Sequence, residues 1–574
     1  MAEYDLVIRG GTVVDGTGIP RYKSDVAIKD GRIANISGNI RAGGAKEIDA
    51  SGCIVAPGAV DMHTHYDGQL NWDPYATPSS WFGVTSLTIG QCGFGFAPCR
   101  PEDRDLSMRM MNRVEAIPLE AMRHGIRWDW ETFPEYLDSL DRQGLGMNVG
   151  ALLPFSPLRG YVLGMIPARQ RTSVTEAELN TMKQLVHDAM AAGAFGIAGN
   201  RSSEDHPEDG GYLPSHVASD EEWLAIAEVI GQFGVGQIGW DIGNVPQFDD
   251  RDEQHVLLEK MAKISGRPMQ MILGGIESYE WMLKMREKGL PIYEQVSITK
   301  TRSTFDLANY NLYDIFPNWV QPLVGTPEER MIKLMDPANR ALMREDVEKA
   351  RRERRIDTIS PELYRVDWDR LRVREVADER NGRFEGMTIN QLAAATGKDP
   401  LDAYLDLAID EQLETRFTYP QDPPESQMQQ LVERITGPYG HVSVSDGGAH
   451  VRFQVSAEWP VFMLTRFIRE KEIMSLEEAH YKMSNLPAWL ASFKDRGVLK
   501  IGSWADIMVY DFDNLGLMYE DPVVEADLPG GESRFIQKAK GIRYTLVNGV
   551  VTFEDNVCTG ALPGKLLRSY EMVN

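Results

Sequence analysis

Between about residue 58 and residue 495, short runs of buried-type apolar residues alternate with longer stretches of helical composition, and this alternation limits the possible folds more than any other feature. Parallel strands must be joined by crossovers, so repeated strand–helix units imply a parallel sheet. Eight candidate strands can be placed: Val60 to His65, Thr85 to Gly93, Gly146 to Pro154, Ala194 to Asn200, Val235 to Asp241, Pro268 to Gly274, Ile292 to Lys300, and His441 to Asp446. Eight such units predict an α/β fold of the (β/α)₈ TIM-barrel type, in which chemistry gathers where strands end and the following loops begin.

At 574 residues the chain is too long for an ordinary single domain. Residues 4 to 15 carry β-rich runs broken by a Gly pair, and an Asp-Gly hairpin signal follows at Asp30-Gly31. The same texture returns at Ala505 to Asp511 and Gly541 to Phe553, with an Asn-Gly turn at Asn548-Gly549. The two ends are expected to meet in a small β-sandwich, 1–58 with 495–574, beside a barrel spanning 59–494. Residues 301–440, between strands seven and eight, are too many for one helix and predict a long insertion. Its position places it over the C-terminal mouth, as a water-excluding lid or as an oligomer contact.

Composition excludes several classes. The formal charge is −25 and the pI is near 4.9, so a nucleic-acid backbone would be repelled. The densest basic run, Lys349 to Arg355, is interrupted by an acid and reads as a solvated helix face. Four scattered cysteines, Cys53, Cys92, Cys99 and Cys558, fit free thiols in a reducing compartment. No basic leader with an apolar core opens the chain, and no apolar run reaches bilayer length. A cytoplasmic homo-oligomer acting on a small molecule, with no nucleic-acid or membrane partner, is the expectation.

The most informative stretch is Val60-Asp-Met-His-Thr-His-Tyr-Asp67. Strand alternation turns His63 and His65 to one side, where two imidazoles can share an ion. Two histidines merely satisfied by hydrogen bonds are the alternative, but burying both without a ligand leaves polar groups to be paired.

Ala56-Pro-Gly-Ala-Val-Asp-Met-His-Thr-His65 resembles the first-strand signature of the amidohydrolase superfamily. Gly10-Gly-Thr-Val-Val-Asp-Gly-Thr-Gly18, Gly90-Gln-Cys-Gly93, Ser445-Asp-Gly-Gly-Ala-His450 and Gly502-Ser-Trp-Ala-Asp-Ile507 extend the resemblance to the N-acyl-D-amino-acid deacylase (D-aminoacylase) branch. It implies a barrel with a β-sandwich, a zinc-type ion, and amide hydrolysis by activated water. Asp446 ends the eighth strand before a Gly pair and is the natural carboxylate for proton transfer, although Asp before Gly-Gly is also plain turn chemistry. The resemblance implies that Cys92 is a thiolate ligand; a buried inert thiol is the alternative.

The chain departs from the deacylase pattern at strands five and six. Val235-Gly-Gln-Ile-Gly-Trp-Asp241 and Pro268-Met-Gln-Met-Ile-Leu-Gly274 contain no histidine, and Asn200 ends strand four where a bridging lysine would be sought. Asp241 could replace a ligand or cap the next helix. The expected centre is a divalent transition metal, zinc first, one or two per chain, with one ion held strongly by His63, His65 and Asp446 and supplemented by Cys92 or His450. Lys300 and Arg302 could clamp a substrate carboxylate, and Tyr66, Trp72, Trp81, Phe94, Phe96 and Trp240 could line the mouth or pack the core. The expected reaction is hydrolysis of the linear amide of an N-acyl-amino acid, D configuration included. Hydrolysis of another amide, a cyclic amide or an ester is the alternative on the same fold, and a catalytically silent binding protein is the alternative of a different class.

Overall fold

The computed structural model describes residues 3–41, 43–201, 205–242, 251–273, 276–298, 304–308, 312–352, 366–419 and 425–572. Its centre is a ring of eight parallel strands: Ala59–Asp61, Val84–Ile89, Asn148–Ala151 continuing into Leu153–Pro154, Gly196–Arg201, Gln237–Ile242, Met269–Ile272, Ile292–Gln295 and Gly440–His441. The third strand changes neighbours at Leu152, whose N–H donates to the Ile89 carbonyl. The ring shuts between its eighth and first strands. There the Met62 N–H donates to Ser443 O at 3.2 Å, the Asp446 N–H donates to His63 O at 3.1 Å, and Thr64 bridges Gly447.

Alternation sorts the side chains of each strand. Ile238, Trp240 and Ile242 join the core shared with the surrounding helices, so Gln237, Gly239 and Asp241 take the opposite face. Met269 and Met271 pack in the same outer core, while Gln270 reaches past the intervening strand to His441, Oε1 to Nε2 2.7 Å. Helices Glu176–Ala191 and Asp220–Gly231 begin with capping boxes, Thr175 with Glu178 and Ser219 with Glu222, which satisfy backbone donors at their first turns.

Strands from both ends of the chain form one nine-stranded sheet. It forks at Tyr4–Val13: residues 4–9 pair with Gly44–Asp49, and Thr12 and Val13 pair with Ile54 and Val55. Leu6, Ile8, Val26, Ile48, Ile507 and Val509 share its core. The hairpin turns at Asp30-Gly31 and Asn548-Gly549 place both central residues at positive φ, the twist-matched type I′ geometry. Asp506 ties this sheet to the barrel, accepting from Asn148 Nδ2 at 3.2 Å and from the Asn548 N–H at 2.8 Å.

Past the seventh strand, side chains between Phe305 and Tyr419 build a second core around Tyr313, Trp319, Trp368, Tyr404 and Phe417. Thr304–Phe305, Arg372–Glu375 and Arg416–Thr418 form a small antiparallel sheet within it. Two residues from barrel loops, Ala116 and Phe453, enter this core. No helix among the described residues is long and apolar enough to cross a membrane.

Candidate metal centre

His63 and His65 lie just beyond the first strand, where the ring closes. Their ring centroids are 5.4 Å apart. Both Nε2 atoms face Asp446 Oδ1, at 3.4 Å from His63 and 3.6 Å from His65, and Cys92 Sγ lies 3.3 Å from His63 Nε2. Donor atoms of His63, His65 and Cys92 fall within 4.8 Å of one another. Each imidazole turns Nδ1 outward to an oxygen, His63 to Gln295 Oε1 at 2.8 Å and His65 to Glu115 Oε1 at 3.4 Å. Glu115 Oε2 stands 3.7 Å from His450 Nε2.

The loop after the eighth strand can reach this point because of its two glycines. A Cβ on Gly447 would lie 2.6 Å from Tyr66 Oη, and one on Gly448, at φ 92°, would lie 2.7 Å from the His65 carbonyl oxygen. The His65 N–H donates to Gly447 O at 2.7 Å. Cys92, Asp446 and His450 all adopt left-handed backbone, with φ of 53°, 52° and 53°. Such a conformation costs a non-glycine residue about 1–2 kcal/mol, so the surrounding packing holds three of these side chains against local preference.

Electrostatics follow from burial and from the neighbouring carboxylates. Burial works against ionised Asp446, but His65, His63 and His450 hold its carboxyl far below the ordinary range. Burial likewise opposes a charged His65, yet Glu115 and Asp446 raise its pKa to about 9. Burial pushes Glu115 up to about 7 against the pull of His65. It also pushes the Cys92 thiol well above its usual value, and Asp241 and Glu115 add to this. Two imidazoles and a thiol thus cluster beside buried acids, with the Asp446 carboxylate against both Nε2 atoms; His65 Nδ1, turned away from them, has the 3.4 Å ion-pair contact with Glu115 but no aligned hydrogen bond among the described residues. A divalent cation would offset the crowded negative charge and favour the thiolate, so these residues fit a borderline transition ion such as zinc.

The other candidates are placed differently. Tyr66 is fully buried, with its hydroxyl 2.8 Å from Ser79 Oγ and receiving the Ser79 N–H, so it faces the core. Phe94, Phe96 and Trp240 are buried in the main core, and Trp72 and Trp81 pack against it. Asp241 lies at the end of the fifth strand, partly buried. Lys300 and Arg302 lie outside the described residues. Two neighbours of His63 and His65 were not anticipated. Gln295 was legible as a polar residue in the buried strand Ile292–Gln295. Glu115 follows the helix Arg104–Val114 immediately, an end where the helix dipole disfavours a carboxylate, and that mismatch was its one signal.

Residues 46–309 and 443–553 match the model of the amidohydrolase family. The D-aminoacylase of Alcaligenes xylosoxydans xylosoxydans is 25% identical over 98% of this chain and 97% of its own length. The N-acyl-D-glutamate deacylase of the same organism is 26% identical over 98% and 96%. The crystal structure of N-acyl-D-glutamate deacylase from Bordetella bronchiseptica, complexed with zinc and a phosphonate inhibitor, superposes with a TM-score of 0.64 at 23% identity, covering 98% of this chain and 99% of that one. This likeness carries the fold, a TIM barrel with an extra domain. With the matched segments spanning both the barrel and the terminal sheet, the chain belongs to the amidohydrolase family.

Proposed function

We propose that this chain hydrolyses the linear amide of an N-acyl-amino acid, D configuration first, using one divalent transition ion, zinc in first place, held by His63, His65, Cys92 and Asp446. The observation that carries this reading is the clustering of His63, His65 and Cys92 donor atoms within 4.8 Å, with Asp446 Oδ1 against both Nε2 atoms where the barrel closes. The two deacylase relatives support the substrate class. When bound, a divalent ion supplies Lewis acidity to the scissile carbonyl and makes water more acidic. Asp446 is ionised and keeps about a third of its side chain exposed, at 34%. It accepts a proton from the attacking water and passes it to the leaving nitrogen as the C–N bond breaks, giving a carboxylic acid and an amine. His450, on the same loop, stands 3.7 Å from Glu115 and helps hold the Asp446 carboxyl in its ionised form. The fifth and sixth strands present Asp241 and Gln270, the latter committed to His441, which favours one ion over two.

Elemental analysis of protein purified without chelator, beside the His63→Ala variant, tests this reading together with a panel of N-acyl-D- and N-acyl-L-amino acids, hydantoins and esters. About one ion per chain, lost in the variant, with turnover of linear amides is the expected result. Turnover of cyclic amides or esters alone would change the substrate class. Absence of metal even after reconstitution would make the chain a binding protein.

We also read residues 1–58 with 495–574 as the companion domain of a 59–494 barrel, and 301–440 as a lid on the mouth. The separate core of the insertion and its seat on Phe453 beside the site support the lid. Exposed Ile332, Met335 and Leu342 on its helices favour a self-association face as the second role, which light scattering separates.

A further inference from the structure

The reaction above makes no use of Glu115, a buried carboxylate at the site. Glu115 is 3% exposed, its two oxygens face His65 Nδ1 and His450 Nε2, and its backbone carbonyl accepts the His450 N–H at 2.5 Å. The residues beside it contact the insertion. Arg113 is buried against Asp314, Nη2 to Oδ1 2.5 Å, and donates from Nη1 to the Leu323 carbonyl at 2.8 Å, while Ala116, at φ 51°, packs in the insertion core. His450 is seated in the same way: the Phe453 N–H donates to its carbonyl at 2.8 Å, Phe453 packs in the insertion core, and Phe453 O accepts the Thr304 N–H at 3.0 Å.

We propose that Glu115 is a positioning residue that fixes the His65 and His450 imidazoles and transmits to them the seating of the insertion. The inference rests on the metal-site reading above. A carboxylate at the outer nitrogen of a ligand imidazole sets its tautomer and ring orientation and strengthens its inner nitrogen as a donor. Segment 113–116 is short and held at both ends, so a shift of the insertion against the barrel must move Glu115 with it. The coupling runs through contacting groups and needs no contact between the insertion and the ion.

Cobalt(II) titration of the metal-free full-length chain tests this, reading affinity by chelator competition and the visible cobalt spectrum. Glu115→Gln is expected to weaken cobalt binding about 10- to 100-fold and to change the spectrum, with partial recovery in Glu115→Asp. Arg113→Lys keeps a charge opposite Asp314 but loses the guanidinium fork, and is expected to weaken binding about three- to tenfold. Combined with Glu115→Gln it should add nothing further, because both act along one path. Wild-type affinity and spectrum in Glu115→Gln, or full additivity of the two substitutions, would overturn the proposal. If Glu115→Gln fails to fold, Glu115→Asp and Arg113→Lys carry the same readouts, and wild-type behaviour in both overturns it. A wild-type chain that binds no cobalt through His63 overturns the metal-site reading as well, whereas normal wild-type binding with an indifferent Glu115 overturns this inference alone.

Discussion

Replacing Gly448 by alanine tests whether close approach of the eighth-strand loop holds the site together. Gly448 has φ 92°, and an added Cβ would meet the His65 carbonyl oxygen at 2.7 Å, its carbon at 2.8 Å and Tyr66 Cδ1 at 2.9 Å. Gly502 has the same φ of 92° with nothing within 4 Å of the same added atom, so it isolates the backbone cost. Left-handed strain costs alanine about 1–2 kcal/mol at either position. Overpacking adds about 1–3 kcal/mol at Gly448 alone, because two of the three atoms struck are main chain. Gly502→Ala is therefore expected to lose about 1–2 kcal/mol and Gly448→Ala about 2–5 kcal/mol in urea unfolding followed by tryptophan fluorescence. The collision pushes on the carbonyl of His65 itself, so Gly448→Ala should also lose bound metal while Gly502→Ala keeps it. Equal destabilisation of the two variants, or a full complement of metal in Gly448→Ala, would refute the account of why the Gly pair follows Asp446.

Asp446→Asn is expected to lower kcat about 10²- to 10⁴-fold with the fold intact by circular dichroism, and activity within tenfold of wild type would remove Asp446 from the proton transfer. His480 is buried with Nε2 2.7 Å from Tyr510 Oη, and burial lowers its pKa to about 3. Between that value and about 6.5 the unfolded chain binds a proton that the folded chain refuses, so this ring lowers stability as pH falls, by up to about 1.4 kcal/mol per pH unit. His480→Gln should be less stable than wild type at pH 8, with the gap narrowing by about 2 kcal/mol by pH 5; parallel stability curves would contradict the neutral ring. Metal at about 100 times its dissociation constant should slow hydrogen exchange at the His65 and Asp446 amides by up to about 100-fold. Ile238, whose N–H donates to Pro268 O in the far wall, should be unaffected, and uniform protection around the ring would argue against a local seam.

The barrel was legible because its strands repeat a local signal. Short buried-type apolar runs such as the one that becomes Gln237–Ile242 recur between stretches of helical composition, and that recurrence needs no tertiary context. The terminal hairpins were readable for the same reason, since Asp30-Gly31 and Asn548-Gly549 specify their turns within two residues. The fork of the terminal sheet was not readable, because it depends on which distant strand, Gly44–Asp49 or Ile54–Pro57, takes each half of Tyr4–Val13. Aromatic residues show the limit most plainly. Tyr66, Phe94, Phe96 and Trp240 sit in motifs near the mouth, but their rings are spent on packing, and composition does not distinguish a core aromatic from a substrate wall.

At the site, what was legible and what was not divide along sequence separation. His63 and His65 stand two residues apart on one strand end, so a single motif carries their shared orientation. Their outer partners come from far along the chain, Glu115 after a helix and Gln295 at the end of another strand, and only folding brings them to the two Nδ1 atoms. The seam between the first and eighth strands joins these levels. Some of its backbone bonds are made by the residues of the candidate site themselves: His63 O accepts the Asp446 N–H, and the His65 N–H donates to Gly447 O. The regular part of the eighth strand is only Gly440–His441, so its far end is held to the first strand by these contacts and the Met62–Ser443 bonds, and an ion between His63, His65 and Asp446 would add to them. An ion there draws the same two segments together as the backbone bonds do, so part of its binding free energy is the free energy of closing the barrel.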